Sequence, residues 1–124
     1  MKRIQTTEIY NRLDAATAEG YTAISLQGSA RSGKTYNVMI WLILYALRVP
    51  HIKISVVRAT LPALKGSVLE DFNTIMHQLG VYNDRHFNKT DLVYWFRSCS
   101  TIEFFSASDE QRLRGRKRDI LFVN

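Results

Sequence analysis

Between positions 61 and 79 apolar side chains recur at three- and four-residue steps: Leu61, Leu64, Val68, Leu69, Phe72, Ile75, Met76 and Leu79. Residues so spaced share one face of a helix, so the stretch predicts an amphipathic helix lying on a sheet. Pro62 suits its first turn and Gly80 its end. Residues 34–47 are apolar on nearly every side, which predicts a helix sandwiched between other elements and stopped by Pro50. Residues 22–26 and 52–57 read as short buried strands, the second rich in β-branched side chains. Upstream, Thr6 or Thr7 can cap a first helix running to about Ala18, with Gly20 closing it.

The rhythm then changes. Residues 85–87, 92–96 and 101–105 form three short strand-like runs joined by polar turns, a β-meander. A polar segment, 106–118, leads to a last apolar strand, 120–123. Strand, helix, strand, helix and further strand predict an α/β domain. Its sheet is mainly parallel, with flanking helices and the meander as a small insertion.

Composition narrows the class only slightly. A hydrophobic share of 46% and a charged share of 23% are those of a globular domain. The net charge of +6 favours phosphate-rich partners without choosing among nucleotide, nucleic acid and acidic membrane surface. Cys99 is the single cysteine, which excludes an internal disulfide and fits a reducing compartment. His51, His77 and His86 stand apart, without metal-ligand spacing. The apolar run at 38–47 is too short to span a bilayer, so the expectation is a soluble, cytoplasmic protein.

Gly28, Ser29, Ala30, Arg31, Ser32, Gly33, Lys34 and Thr35 satisfy G-x-x-x-x-G-K-S/T at every fixed position. The two glycines permit tight turns and let main-chain N–H groups approach phosphate oxygens. The following helix N-terminus adds unpaired N–H groups and partial positive charge. Lys34 would place an ammonium against the β- and γ-phosphates, and the Thr35 hydroxyl would ligate Mg²⁺. The match lies between a predicted strand and a predicted helix, as that mechanism requires. ATP and Mg²⁺ are therefore the expected ligands.

A P-loop NTPase also needs an apolar strand ending in acid, which holds Mg²⁺ and positions water. The candidate is the strand 120–123, but Asn124 occupies the place of the usual aspartate. An asparagine can accept a hydrogen bond from a magnesium-bound water yet supplies no charge, and no glutamate follows. Asp119, at the opposite end of the strand, reads as a turn or capping residue. The expectation is an incomplete domain that binds nucleotide without turning it over.

Three stretches, LQGSARSGKTYNVMIWLI, ISVVRATLPALKGSVLEDF and IEFFSASDEQRLRGRKRDILFVN, resemble in order and content the large terminase subunit of tailed bacteriophages. The likeness covers almost the whole chain, as the N-terminal part of that family's ATPase domain. It is carried by the phosphate loop, the segment Val57-Arg58-Ala59-Thr60-Leu61-Pro62 and the Arg-Leu-Arg-Gly run before the last strand. The resemblance implies a motor-type P-loop NTPase, with an extra strand between its two nucleotide elements. Such a motor is a hydrolase that drives double-stranded DNA through a portal protein into a capsid, with a small terminase subunit and a homo-oligomeric ring as partners. In that family the last strand runs into an acidic pair and a nuclease domain follows; neither occurs in these 124 residues.

The resemblance also implies arginines that complete a neighbouring subunit's site. Arg31, inside the loop, is the local candidate for the γ-phosphate. Arg112, Arg114, Arg116, Lys117 and Arg118 form the densest basic cluster, open to three readings: DNA phosphate contact, an arginine finger offered to a neighbour, or a solvated loop. Arg58 falls where open α/β sheets bind ligands, or else pairs within the fold. Tyr10 and Tyr21 are open to packing near an adenine ring or in the core. Two other functions stay open, a small phosphotransferase resembling a nucleotide kinase and an assembly domain that binds nucleotide without hydrolysis.

Overall fold

The computed structural model describes residues 22–25, 34–115 and 117–124. The predicted first helix with Gly20, Tyr10, Tyr21, Leu26, positions 28–33 of the phosphate loop with Arg31, and Arg116 lie outside the described residues. The elements, in chain order, are β1 (Thr22–Ser25), α1 (Lys34–Arg48), β2 (Lys53–Arg58), α2 (Leu61–Lys65), α3 (Val68–Gln78), β3 (Phe87–Asn88), β4 (Val93–Trp95), β5 (Thr101–Ser106), α4 (Glu110–Gly115) and β6 (Ile120–Val123). They make an α/β fold on one mixed six-stranded sheet of order β1-β6-β2-β5-β4-β3.

Strands β1, β6, β2 and β5 run parallel, and β4 and β3 continue the sheet antiparallel. Thus β5, expected as the last strand of an inserted meander, is a full partner of β2 inside the parallel region. Among the described residues no other strand lies between the strand before the phosphate loop and the last strand: β1 and β6 pair directly, with Ala23 opposite Leu121 and Ile24 opposite Phe122.

Alternation along the strands sorts their side chains onto two faces. One face carries Ile24, Ile54, Val56, Ile102, Phe104, Ile120 and Phe122, packed under Met39, Leu42, Ile43 and Ala46 of α1 and Val68, Phe72, Ile75 and Met76 of α3. The other carries Ala23, Val57, Phe105, Leu121 and Val123, with Leu113 of α4 against them. Being buried on both sides makes β6 read as a continuous apolar run and β2 as one broken inside the sheet only by Ser55.

Several boundaries differ from expectation for local reasons. The single helix expected from Pro62 to Gly80 breaks at Gly66-Ser67, where the Ser67 hydroxyl donates back to the Ala63 carbonyl at 2.6 Å. Gly80, at φ 71°, closes α3 as expected, and the next amide, Val81 N–H, reaches the Met76 carbonyl at 3.1 Å. The run at 85–87 begins instead as a 3₁₀ turn, Asp84–His86, because the Asn83 side chain accepts the Arg85 amide. Leu92 leaves β4 with φ at 56°. Within the polar segment 106–118, the Asp109 side chain accepts the Arg112 amide and starts α4.

Helix α1 is less enclosed than its sequence implies, since Trp41 is 47% and Leu44 39% exposed. Trp41 stacks on Tyr45 at 5.1 Å, so the two rings cover one another on the outer side. At the far end, Ser98 donates to the Ala46 carbonyl (2.5 Å) and Ser100 to that of Val49 (2.6 Å). These hydroxyls satisfy carbonyls that a helix end leaves open. Among the described residues no helix is long and apolar enough to cross a membrane.

Candidate functional site

Parallel strands present their C-terminal ends along one edge of the sheet, here Ser25, Val123, Arg58 and Ser106. In open α/β sheets that edge is where ligands bind. Lys34 is the first residue of α1, so the motif ends where the sequence requires, at the start of a helix that packs on the sheet. Thr35, one residue on, is buried, and its hydroxyl donates to Asn124 Oδ1 at 3.1 Å across 89 positions of sequence. The Asn124 amide in turn donates to the Val57 carbonyl (3.0 Å), extending the β6–β2 ladder one residue past Val123. Hence the last residue of the phosphate-loop motif and the residue in the acidic position meet at the strand ends.

The Nδ2 atom of Asn124 is buried and has no acceptor among the described residues. A buried donor left unpaired is costly, on the order of 1–3 kcal/mol. An acceptor such as a phosphate oxygen would satisfy it. The oxygens beside it, a hydroxyl and an amide carbonyl, are of the type Mg²⁺ takes, although neither brings charge.

Arg58 stands beside Asn124. The last paired residues of the two strands are Val57 and Val123, and Arg58 and Asn124 follow them. Both side chains lie on the face covered by α1 to α3: Asn124 meets Thr35 of α1, and Arg58 Nη1 donates to Ser67 Oγ at 2.5 Å just before α3. Of the two readings of Arg58, the structure shows a place at the ligand-binding edge and a hydrogen bond to a neutral hydroxyl; no carboxylate pairs with it among the described residues.

The basic cluster divides. Arg112 Nη2 reaches Glu103 Oε1 at 3.1 Å and the Asp91 carbonyl at 3.0 Å, and its guanidinium lies 5.0 Å from the Phe105 ring centre. Glu103 also accepts from the Ser55 hydroxyl at 2.7 Å. Arg118 is buried and donates to the carbonyls of Leu113 (3.0 Å) and Arg112 (2.8 Å), closing the end of α4. These two guanidiniums are spent on holding α4 to the sheet. Arg114, in an exposed i,i+4 pair with Glu110 at 3.6 Å, and Lys117 face solvent. The network was missed from sequence, although Ser55 and Glu103 are polar residues inside otherwise apolar strands, which is its signal. Asp119, expected as a turn or capping residue, lies in the bend before β6, its carboxylate accepting the Lys53 amide at 2.9 Å.

This division has a measurable consequence. Arg112→Ala should cost on the order of 2–4 kcal/mol, because it removes the cation that faces the buried Glu103 carboxylate. Arg114→Ala should stay within about 0.5 kcal/mol, as exposed pairs do. Urea denaturation of the two variants checks this, and equal midpoints would show that the Glu103 pairing contributes nothing to stability.

Comparison with protein-family models, with curated proteins and with solved structures finds no match for this chain.

Proposed function

We propose that this chain binds Mg-ATP at the C-terminal edge of its parallel strands, as the nucleotide-binding portion of a P-loop NTPase. The observation that carries the reading is the Thr35–Asn124 hydrogen bond. It joins the end of a complete phosphate-loop motif to the strand end from which such sites take their metal ligand. Lys34 would hold the β- and γ-phosphates, while the Thr35 hydroxyl and Asn124 carbonyl would serve Mg²⁺ and its water. Bound Mg²⁺ would offset charge on the phosphates. The chain's own part is to hold the triphosphate and leave an uncharged amide beside it.

By its resemblance the chain belongs to a cytoplasmic DNA-packaging motor working on double-stranded DNA. In that reading Arg114 and Lys117 are the described members of the basic cluster open to DNA or a neighbouring subunit. The test is calorimetric titration with Mg-ATP. Micromolar binding is expected, weakened without magnesium and in Thr35→Ala; no heat with either nucleotide or magnesium varied would sink the proposal.

One observation favours a second reading. Direct β1–β6 pairing departs from the motor arrangement, in which a strand separates the nucleotide elements, and leaves room for a small phosphotransferase. Phosphoryl transfer from ATP to a nucleoside monophosphate would decide for that reading, and its absence alongside ATP binding for the first.

A further inference from the structure

We infer that Arg58 reads the γ-phosphate, so that the site distinguishes nucleoside triphosphate from diphosphate through a residue outside the phosphate-loop motif. The inference rests on the nucleotide reading above and deepens it.

The backbone of Arg58 is fixed from both sides. Its own carbonyl accepts the Ala107 amide at 2.7 Å, and the preceding carbonyl, of Val57, accepts that of Asn124 at 3.0 Å. Adjacent strands lie about 4.8 Å apart, so the Arg58 and Asn124 side chains, rising on one face, are immediate neighbours. Asn124 in turn holds the Thr35 hydroxyl at 3.1 Å. A phosphate chain cradled at the start of α1 would therefore point its free end toward the strand ends of β6 and β2. At those strand ends, among the described residues, it would meet the uncharged amide of Asn124, whose Nδ2 is a buried donor without a partner, and the cation of Arg58.

What the guanidinium does without nucleotide supports the assignment. Among the described residues its side-chain partner is a hydroxyl rather than a carboxylate, so most of its five donors remain for an anion. Ser67, the partner, precedes α3 but makes no side-chain cap to it; the hydroxyl accepts from Arg58 and donates to Ala63 instead. A neutral, replaceable partner holds the arginine near the edge at little electrostatic cost. Arg58 thus has two places to donate, Ser67 and a terminal phosphate, and a diphosphate would leave it on Ser67.

The experiment is paired titration with Mg-ATP and Mg-ADP of the wild type, Arg58→Gln, Arg58→Lys and Ser67→Ala, with far-UV circular dichroism and melting on each. Arg58→Gln is expected to weaken ATP about ten- to a hundredfold while ADP changes by no more than about twofold. Arg58→Lys should recover part of the ATP preference, because it keeps the charge. Ser67→Ala should bind ATP as well as the wild type or better, since it frees the guanidinium. If Arg58→Gln weakens both nucleotides equally, or neither, the assignment is wrong and Arg58 serves only to hold Ser67. In that case Ser67→Ala and Arg58→Gln would melt alike and share one ATP-to-ADP ratio. A wild type that binds neither nucleotide would overturn the nucleotide reading itself.

Discussion

Lys34→Ala is expected to weaken Mg-ATP binding by about 3 kcal/mol, a hundredfold or more in Kd. In the proposed site the substitution would delete a charge-assisted contact to two phosphates, and such contacts are about twice as strong as neutral hydrogen bonds. Main-chain N–H groups of the loop and the helix end would still face the nucleotide, so residual binding is expected rather than none. Lys34 opens a 15-residue helix, and alanine is the best helix former, so α1 itself should keep its length. Calorimetry with magnesium present checks the effect. Equal ATP affinity for the two proteins would remove Lys34, and with it the motif, from the account of the site.

The largest expected effect on stability belongs to Phe72→Ala, on the order of 3–5 kcal/mol. Phe72 of α3 is fully buried and packs edge-on against Phe104 at 5.1 Å and Tyr94 at 5.5 Å. Phe104 belongs to the parallel region and Tyr94 to the antiparallel part, so one ring joins both halves of the sheet. Removing it leaves a cavity that rigid strands on either side cannot close. Since small domains are typically stable by about 5–15 kcal/mol, the variant should approach the threshold of unfolding. Urea or thermal melts measure it. A loss under about 1 kcal/mol would mean that the two halves are held independently of Phe72.

Much of this architecture could be read from spacing alone. The three- and four-residue steps that place Val68, Phe72, Ile75 and Met76 on one helix face are the steps by which they reach the core. The strand 120–123 was legible as an unbroken apolar run, and 52–57 as a run rich in β-branched side chains interrupted by Lys53 and Ser55, because both faces of each are covered. What escaped was decided by single side-chain hydrogen bonds. Asp109 starts α4 within a stretch too polar to show a helical period, and Ser67 breaks a period that continues across it. Strand order escaped for another reason, since periodicity fixes which face a strand buries and not which strand it pairs with. For the site, Lys34, Thr35 and Asn124 were legible from the motif and the strand end. The position of Arg58 beside Asn124 needed the β2–β6 register, which no local pattern encodes.

The serine hydroxyls at the far end of α1 set how that helix can respond. Ala46 and Val49 carbonyls are tied by Ser98 and Ser100 to the β4–β5 turn, whereas the opposite end is held to the sheet edge through Thr35 and Asn124. A helix of 15 residues is about 22 Å long. Among the described residues its last turn is fastened by two bonds to main-chain carbonyls, and its first by the Thr35–Asn124 bond and by Tyr36, whose hydroxyl donates to the Gln78 side chain of α3 at 2.9 Å. Parting Thr35 from Asn124 would loosen the first turn alone, because Met39, Leu42, Ile43 and Ala46 keep the rest of α1 seated in the core. The displacement would be greatest at Thr35 and die out before the stacked pair Trp41 and Tyr45, so the intrinsic fluorescence of Trp41 should stay unchanged when that bond parts.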